Sequence, residues 1–167
     1  MNRPAAFAAV LGLTRAASNL GDHIVQDDFC ACVKSATDDA PVRYAANPGD
    51  EPSVNGTAAG RRACAWHCFT YVTTQAAVVG LGTRVLGIRL HPGAAAAATV
   101  LSFASHYAVD RRVPGGLVET LAAKAGKKNF FRKADHGING VYLMDRALHH
   151  GFETLAALIA ITKATSR

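Results

Sequence analysis

Residues 63 to 83, ACAWHCFTYVTTQAAVVGLGT, form an apolar run interrupted only by His67 and a few hydroxyls and amides, and closed by Arg84 and Arg89. A helix of about 20 apolar residues matches the hydrocarbon thickness of a bilayer. Such a run must be covered, either by other helices or by lipid. It fixes the second of four helices around which the rest of the chain is read.

Residues 5 to 33 are rich in Ala and Leu and read as the first helix, with Gly12 and Gly21 as weak points and Asp22, His23, Gln26 and Asp27 near its far end. From Lys34 to Arg62 the chain turns to Pro, Gly, Asn and Asp with no apolar period, which predicts a long flexible loop over 34–62. After LHPGA, residues 94 to 110 form a third, Ala-rich helix that Arg111, Arg112, Pro114, Gly115 and Gly116 end. A basic loop over 111–140 follows, where Lys124, Lys127, Lys128, Arg132 and Lys133 interleave with Phe130 and Phe131. Residues 141 to 162 make the last helix. The expectation is one domain over 1–167, all-α, an up-and-down four-helix bundle with a long loop between helices one and two.

Up-and-down connection places the end of the first helix, the start of the second, the end of the third and the start of the fourth at one end of the bundle. Polar side chains fall at these positions. Asp22 and Gln26 share a face late in helix one, and His67 is early in helix two. His106 and Asp110 in HYAVDRR, and Asp145 and His149 in DRALHH, are each four residues apart and so point the same way. These groups should converge.

Charge then bears on surroundings. The net charge is +6 and the sequence pI about 9.4, with half the residues hydrophobic and a mean hydropathy of +0.11. This suits an anionic lipid surface, nucleic acid or simple solubility, and the placement of the charge decides between them. The two loops at the polar end carry most of the Lys and Arg, so the positive-inside rule predicts a polytopic protein of the inner (cytoplasmic) membrane with its polar cluster facing the cytoplasm. The bilayer would be its partner, and the basic loop would meet anionic headgroups; no nucleic-acid motif accompanies the basic cluster. Arg15 and Glu153 strain this reading and would have to face the bundle interior or the interface.

Cys30, Cys32, Cys64 and Cys68 form CxC and CxxxC pairs rather than the doubled CxxC of structural zinc sites, and read as reduced, partly buried thiols. Arg15 inside the first apolar stretch speaks against a signal peptide. The Ala-rich, Arg-using composition fits a high-GC bacterium or its phage.

The stretch Leu20 to Gln26 with Lys34, together with His67, HYAVDRR and GVYLMDRALHHG, resembles the integral-membrane family of bacteria and phages catalogued as domain of unknown function 3307. The resemblance covers nearly the whole chain except Ser35 to Gly60. It implies a small polytopic membrane protein with GD-xxx-Q, HxxxD and D-xxx-H motifs, here Asp22 and Gln26, His106 and Asp110, and Asp145 and His149. Two departures stand out: Ser18 where many members have a histidine, and Arg146 where a glutamine is common.

The residues themselves suggest a divalent metal, zinc or manganese, held by His106, Asp110, Asp145 and His149, with Asp22 and His67 as acid and base or further ligands. The corresponding function is a metal-dependent hydrolase. Two alternatives remain open. In the first the protein is a non-enzymatic membrane accessory, whose cluster is a structural or partner-binding network with Arg111, Arg112 or Arg146 neutralising the carboxylates. In the second it is a soluble helical bundle that binds nucleic acid.

Overall fold

The computed structural model describes residues 2–166, which fall into two compact units. The first comprises residues up to Gln26, Cys68–Ser105 and the stretch from His150 onwards; the second comprises Asp27–His67 and His106–His149.

In the first unit, α1 (Arg3–Leu20) starts where the Asn2 side chain accepts the Ala5 N–H and Pro4 takes a first-turn position that lacks an amide partner. Ala6, Val10, Thr14 and Ala17 recur at helical spacing and form its buried stripe. The helix ends in a π-helical turn, Gly21–Val25, at the weak point the sequence marks. Gly21 is buried there, and a Cβ at this position would come within 2.9 Å of the Tyr71 ring. The rest of the unit is built from segments of three longer helices, α3 (Thr57–Val85), α4 (Pro92–Asp110) and α7 (Gly140–Ala160). Val10, Ala98, Ala156, Ala157 and Ala160 form its core, flanked by Phe7, Val79 and Leu101. A short antiparallel pair, β3 (Ile88–Arg89) with β6 (Thr165–Ser166), sits against a smaller cluster of Ala6, Ile88 and Ala164.

A hydrogen-bonded network lies inside this helical unit. The Tyr71 hydroxyl is 2.8 Å from Ser18 Oγ and 3.2 Å from Glu153 Oε1, and Gln75 links Ser18 to Ser102. Arg15 lies 3.8 Å from Glu153, so the two charges that strained the membrane reading answer each other. Burial, with the nearby Glu153 carboxylate, pushes the Tyr71 phenol well up.

The second unit contains what the sequence reads as two loops. Asp27 caps α2 (Asp28–Val33) by accepting the Cys30 N–H at 2.6 Å. The stretch expected to be flexible forms an antiparallel hairpin, β1 (Val42–Tyr44) with β2 (Ser53–Asn55). Asp38 and Thr57 close its base reciprocally: the Thr57 N–H donates to Asp38 Oδ1 and the Asp38 N–H to Thr57 Oγ1, both at 2.9 Å. Tyr44 packs edge-on against Phe29, and Cys30, Val33, Ala36 and Ala63 form the core beneath. The apolar period missing from the sequence is replaced by these side chain to backbone bonds. The basic stretch likewise holds α5 (Leu117–Lys124), α6 (Lys128–Phe131) and the hairpin β4 (Ala134–Asp135) with β5 (Ile138–Asn139).

Among the described residues no helix is long and apolar enough to cross a membrane. This overturns the expected polytopic membrane bundle and, with it, the inner-membrane location. The cause lies in the helices themselves. α3 begins at Thr57 and carries Arg61, Arg62, His67 and Gln75 besides its apolar residues; alanine dominates α4; α7 carries Asp145, Arg146, His149 and Glu153. Among the described residues there are also seven α-helices and short strands where four helices were expected.

Candidate metal centre

The site lies in the second unit and draws on four of its segments. α3 supplies His67, the last turn of α4 supplies His106 and Asp110, α7 supplies Asp145 and His149, and Lys34 follows α2. His67, fully buried, sits with its Nε2 2.9 Å from His106 Nε2 and 3.3 Å from Asp110 Oδ2. His106 Nε2 is 3.8 Å from the same oxygen, across one helical turn. Two ligands of one zinc ion, each about 2.0–2.2 Å from it, can be no more than about 4.4 Å apart. All three separations satisfy that limit, and His67 and His106 belong to a group of side chains that could hold a metal ion.

Two cationic side chains, Lys34 and Arg112, meet the carboxylates. The Lys34 ammonium is 2.6 Å from Asp110 Oδ2, with both side chains buried. Arg112 reaches Asp110 Oδ1 at 3.4 Å and Asp145 Oδ1 at 3.9 Å. Burial pushes the Asp110 carboxyl up, but Lys34, with His106, Arg112 and His67, outweighs it and holds the group down at about 2. For Asp145 the balance reverses: burial raises it, and His149 and Arg112 only partly offset that. Arg111 takes a different role, its guanidinium donating to the carbonyls of Lys34 at 2.6 Å and Ala36 at 2.8 Å.

His149 has a defined tautomer. Its Nδ1 lies 2.9 Å from the Asp145 carbonyl oxygen, which can only accept, so Nδ1 carries the proton of the neutral ring. Nε2 is then a bare lone pair, buried and without a hydrogen-bond partner. The ring packs edge-on against His106 with centroids 4.4 Å apart.

Of the residues singled out in the sequence, His67, His106, Asp110, Asp145 and His149 come together in this unit. Asp22 and Gln26 lie in the first unit, half-buried, Asp22 within the π turn and Gln26 at its end, its N–H donating to the Gly21 carbonyl at 3.0 Å. Arg146 reaches the Tyr142 hydroxyl at 3.1 Å. The four cysteines are free thiols; Cys30 is buried and pushed up to about 12 by burial and by Asp27. Sequence reasoning missed Lys34 as the partner of Asp110. The signal available was a lysine directly following the apolar face of a short helix, where burial demands a counter-charge.

Fold and site thus define a mainly helical protein with a buried His/Asp cluster ringed by cationic side chains. No family model, curated protein or solved structure matches the chain.

Proposed function

We propose that the second unit is a divalent-metal centre with hydrolytic chemistry, its ion held by His67, His106 and Asp110. The observation that carries this is the set of three donor atoms 2.9 to 3.8 Å apart on two helices. When bound, zinc or manganese supplies Lewis acidity, polarising a substrate oxygen and acidifying water to a pKa of about 7. The bare Nε2 of His149 supports a general base beside the centre, oriented through its Nδ1 bond to the Asp145 backbone. Exposure rises from His67 at 0% to Asp145 and His149 at 8%. Arg112, whose side chain is 32% exposed, touches both carboxylates and also lines a 300 Å³ cavity. The Arg112 guanidinium favours a substrate with an anionic group, such as a phosphoester, seated against it.

The test is metal content by elemental analysis of purified protein, followed by a screen of phosphoesters and carboxylic esters. Wild type should hold close to one ion per chain, and His67→Ala and His106→Ala should lose it. His149→Gln should keep the metal and lower kcat about 10²-fold. Metal-free wild type that cannot be loaded, with its fold intact, would refute the centre.

One observation favours a second reading. The 2.6 Å Lys34–Asp110 ion pair already neutralises the carboxylate, as in a non-enzymatic protein whose cluster fixes the register of its helices. In that case the alanine variants lose stability and no metal is involved.

A further inference from the structure

The first unit contains a 160 Å³ cavity remote in chemistry from the His/Asp cluster. Its walls include Val10, Val79, Ala98 and Ala157, and its polar lining residues are Thr14, Gln75, Thr99 and Ser102. The hydrogen-bond directions around Gln75 and Ser102 follow from the groups involved. Ser18 donates its one proton to the Thr14 carbonyl at 2.8 Å, so it must accept from Gln75 Nε2 at 3.0 Å. This fixes the amide: Gln75 Oε1 faces Ser102 and accepts its hydroxyl proton at 2.6 Å. Ser102, itself 6% exposed, therefore offers the cavity lone pairs and no proton.

We propose that this cavity binds a small uncharged molecule with an apolar body and one hydrogen-bond donor, of the size of a monocyclic phenol or a short-chain alcohol. An apolar cavity of about 150 Å³ accommodates benzene. Here the buried acceptor adds a preference for a donor, because an apolar occupant leaves the Ser102 lone pairs unsatisfied. Charged ligands are disfavoured, since the lining residues carry no charge.

The probes are phenol and toluene, which differ in the hydroxyl, titrated into the full chain by calorimetry with thermal unfolding as a second readout. Phenol should bind saturably and raise Tm, with toluene at least tenfold weaker. Ser102→Ala should weaken phenol about tenfold and leave toluene unchanged, and Ala157→Leu should abolish both by filling the space. Should Ala157→Leu fail to fold, Ala98→Val serves the same purpose. Absence of saturable phenol binding, equal affinity for the two probes, or phenol affinity unchanged in Ser102→Ala would each overturn the proposal.

Discussion

The Lys34 ammonium and Asp110 Oδ2, 2.6 Å apart and both buried, make the tightest charge contact of the His/Asp cluster. A buried ion pair adds little over an apolar pair, yet removing one partner strands the other at roughly 3–5 kcal/mol. Lys34→Met should therefore destabilise the protein by about that amount in EDTA, read by urea denaturation. Zinc should restore much of the loss, because the ion takes over the charge that the ammonium supplied. A Met variant as stable as wild type in EDTA would show that the pair does not carry this part of the fold.

Acid stability follows from the same carboxylate. The folded Asp110 group titrates at about 2 against an ordinary value of 3.8, so its contribution is present above pH 4 and is lost as the pH falls through about 2. The amount is roughly 2 kcal/mol. Denaturation of metal-free wild type and Asp110→Asn between pH 5 and 2 should show an acid limb in wild type that is shallower in the variant. Superimposable limbs would assign acid sensitivity to other groups.

Gly60 marks a close approach. A Cβ there would collide with the Ala36 carbonyl oxygen, which Arg111 also binds. Gly60→Ala should cost about 1–3 kcal/mol although alanine is the better helix former. A stabilised variant would mean that the segment after α2 can move away freely.

In the first unit, Tyr71 and Glu153 should be energetically coupled through their 3.2 Å contact. Tyr71→Phe and Glu153→Gln should each lose about 1–2 kcal/mol, and the double variant should fall short of the sum by about 1 kcal/mol. Strict additivity would show that the hydroxyl works through Ser18 alone.

Much of the His/Asp cluster was legible because i, i+4 pairs on helices point the same way whatever surrounds them. His106 with Asp110 and Asp145 with His149 needed only that rule. The environment was not legible in the same way. The run from 63 to 83 resembles a span in length, but its interior amides and hydroxyls belong to a hydrogen-bonded protein core, where Gln75 bridges two serines and Tyr71 meets a carboxylate. Residue composition does not distinguish such a core from lipid-facing surface. The hairpin within 34–62 was invisible for another reason: it is held by Asp38 and Thr57, nineteen residues apart. A long-range pair of polar side chains leaves no periodic trace. Arg111 and Arg112, adjacent in sequence, part company for a similar reason, one serving backbone carbonyls and the other carboxylates.

The closure of that hairpin also determines where the chain can accept added length. Asp38 with Thr57 and Arg111 with the Lys34 and Ala36 carbonyls secure its base, while its far end is an exposed turn in which Asn47 and Asp50 bond each other and Gly49 takes a positive φ of 95°. Lengthening a surface loop between fixed ends costs only about 0.6 kcal/mol per doubling. The turn at Asn47–Asp50 is thus the natural place to splice in an epitope or a reporter peptide, with the His/Asp cluster left undisturbed.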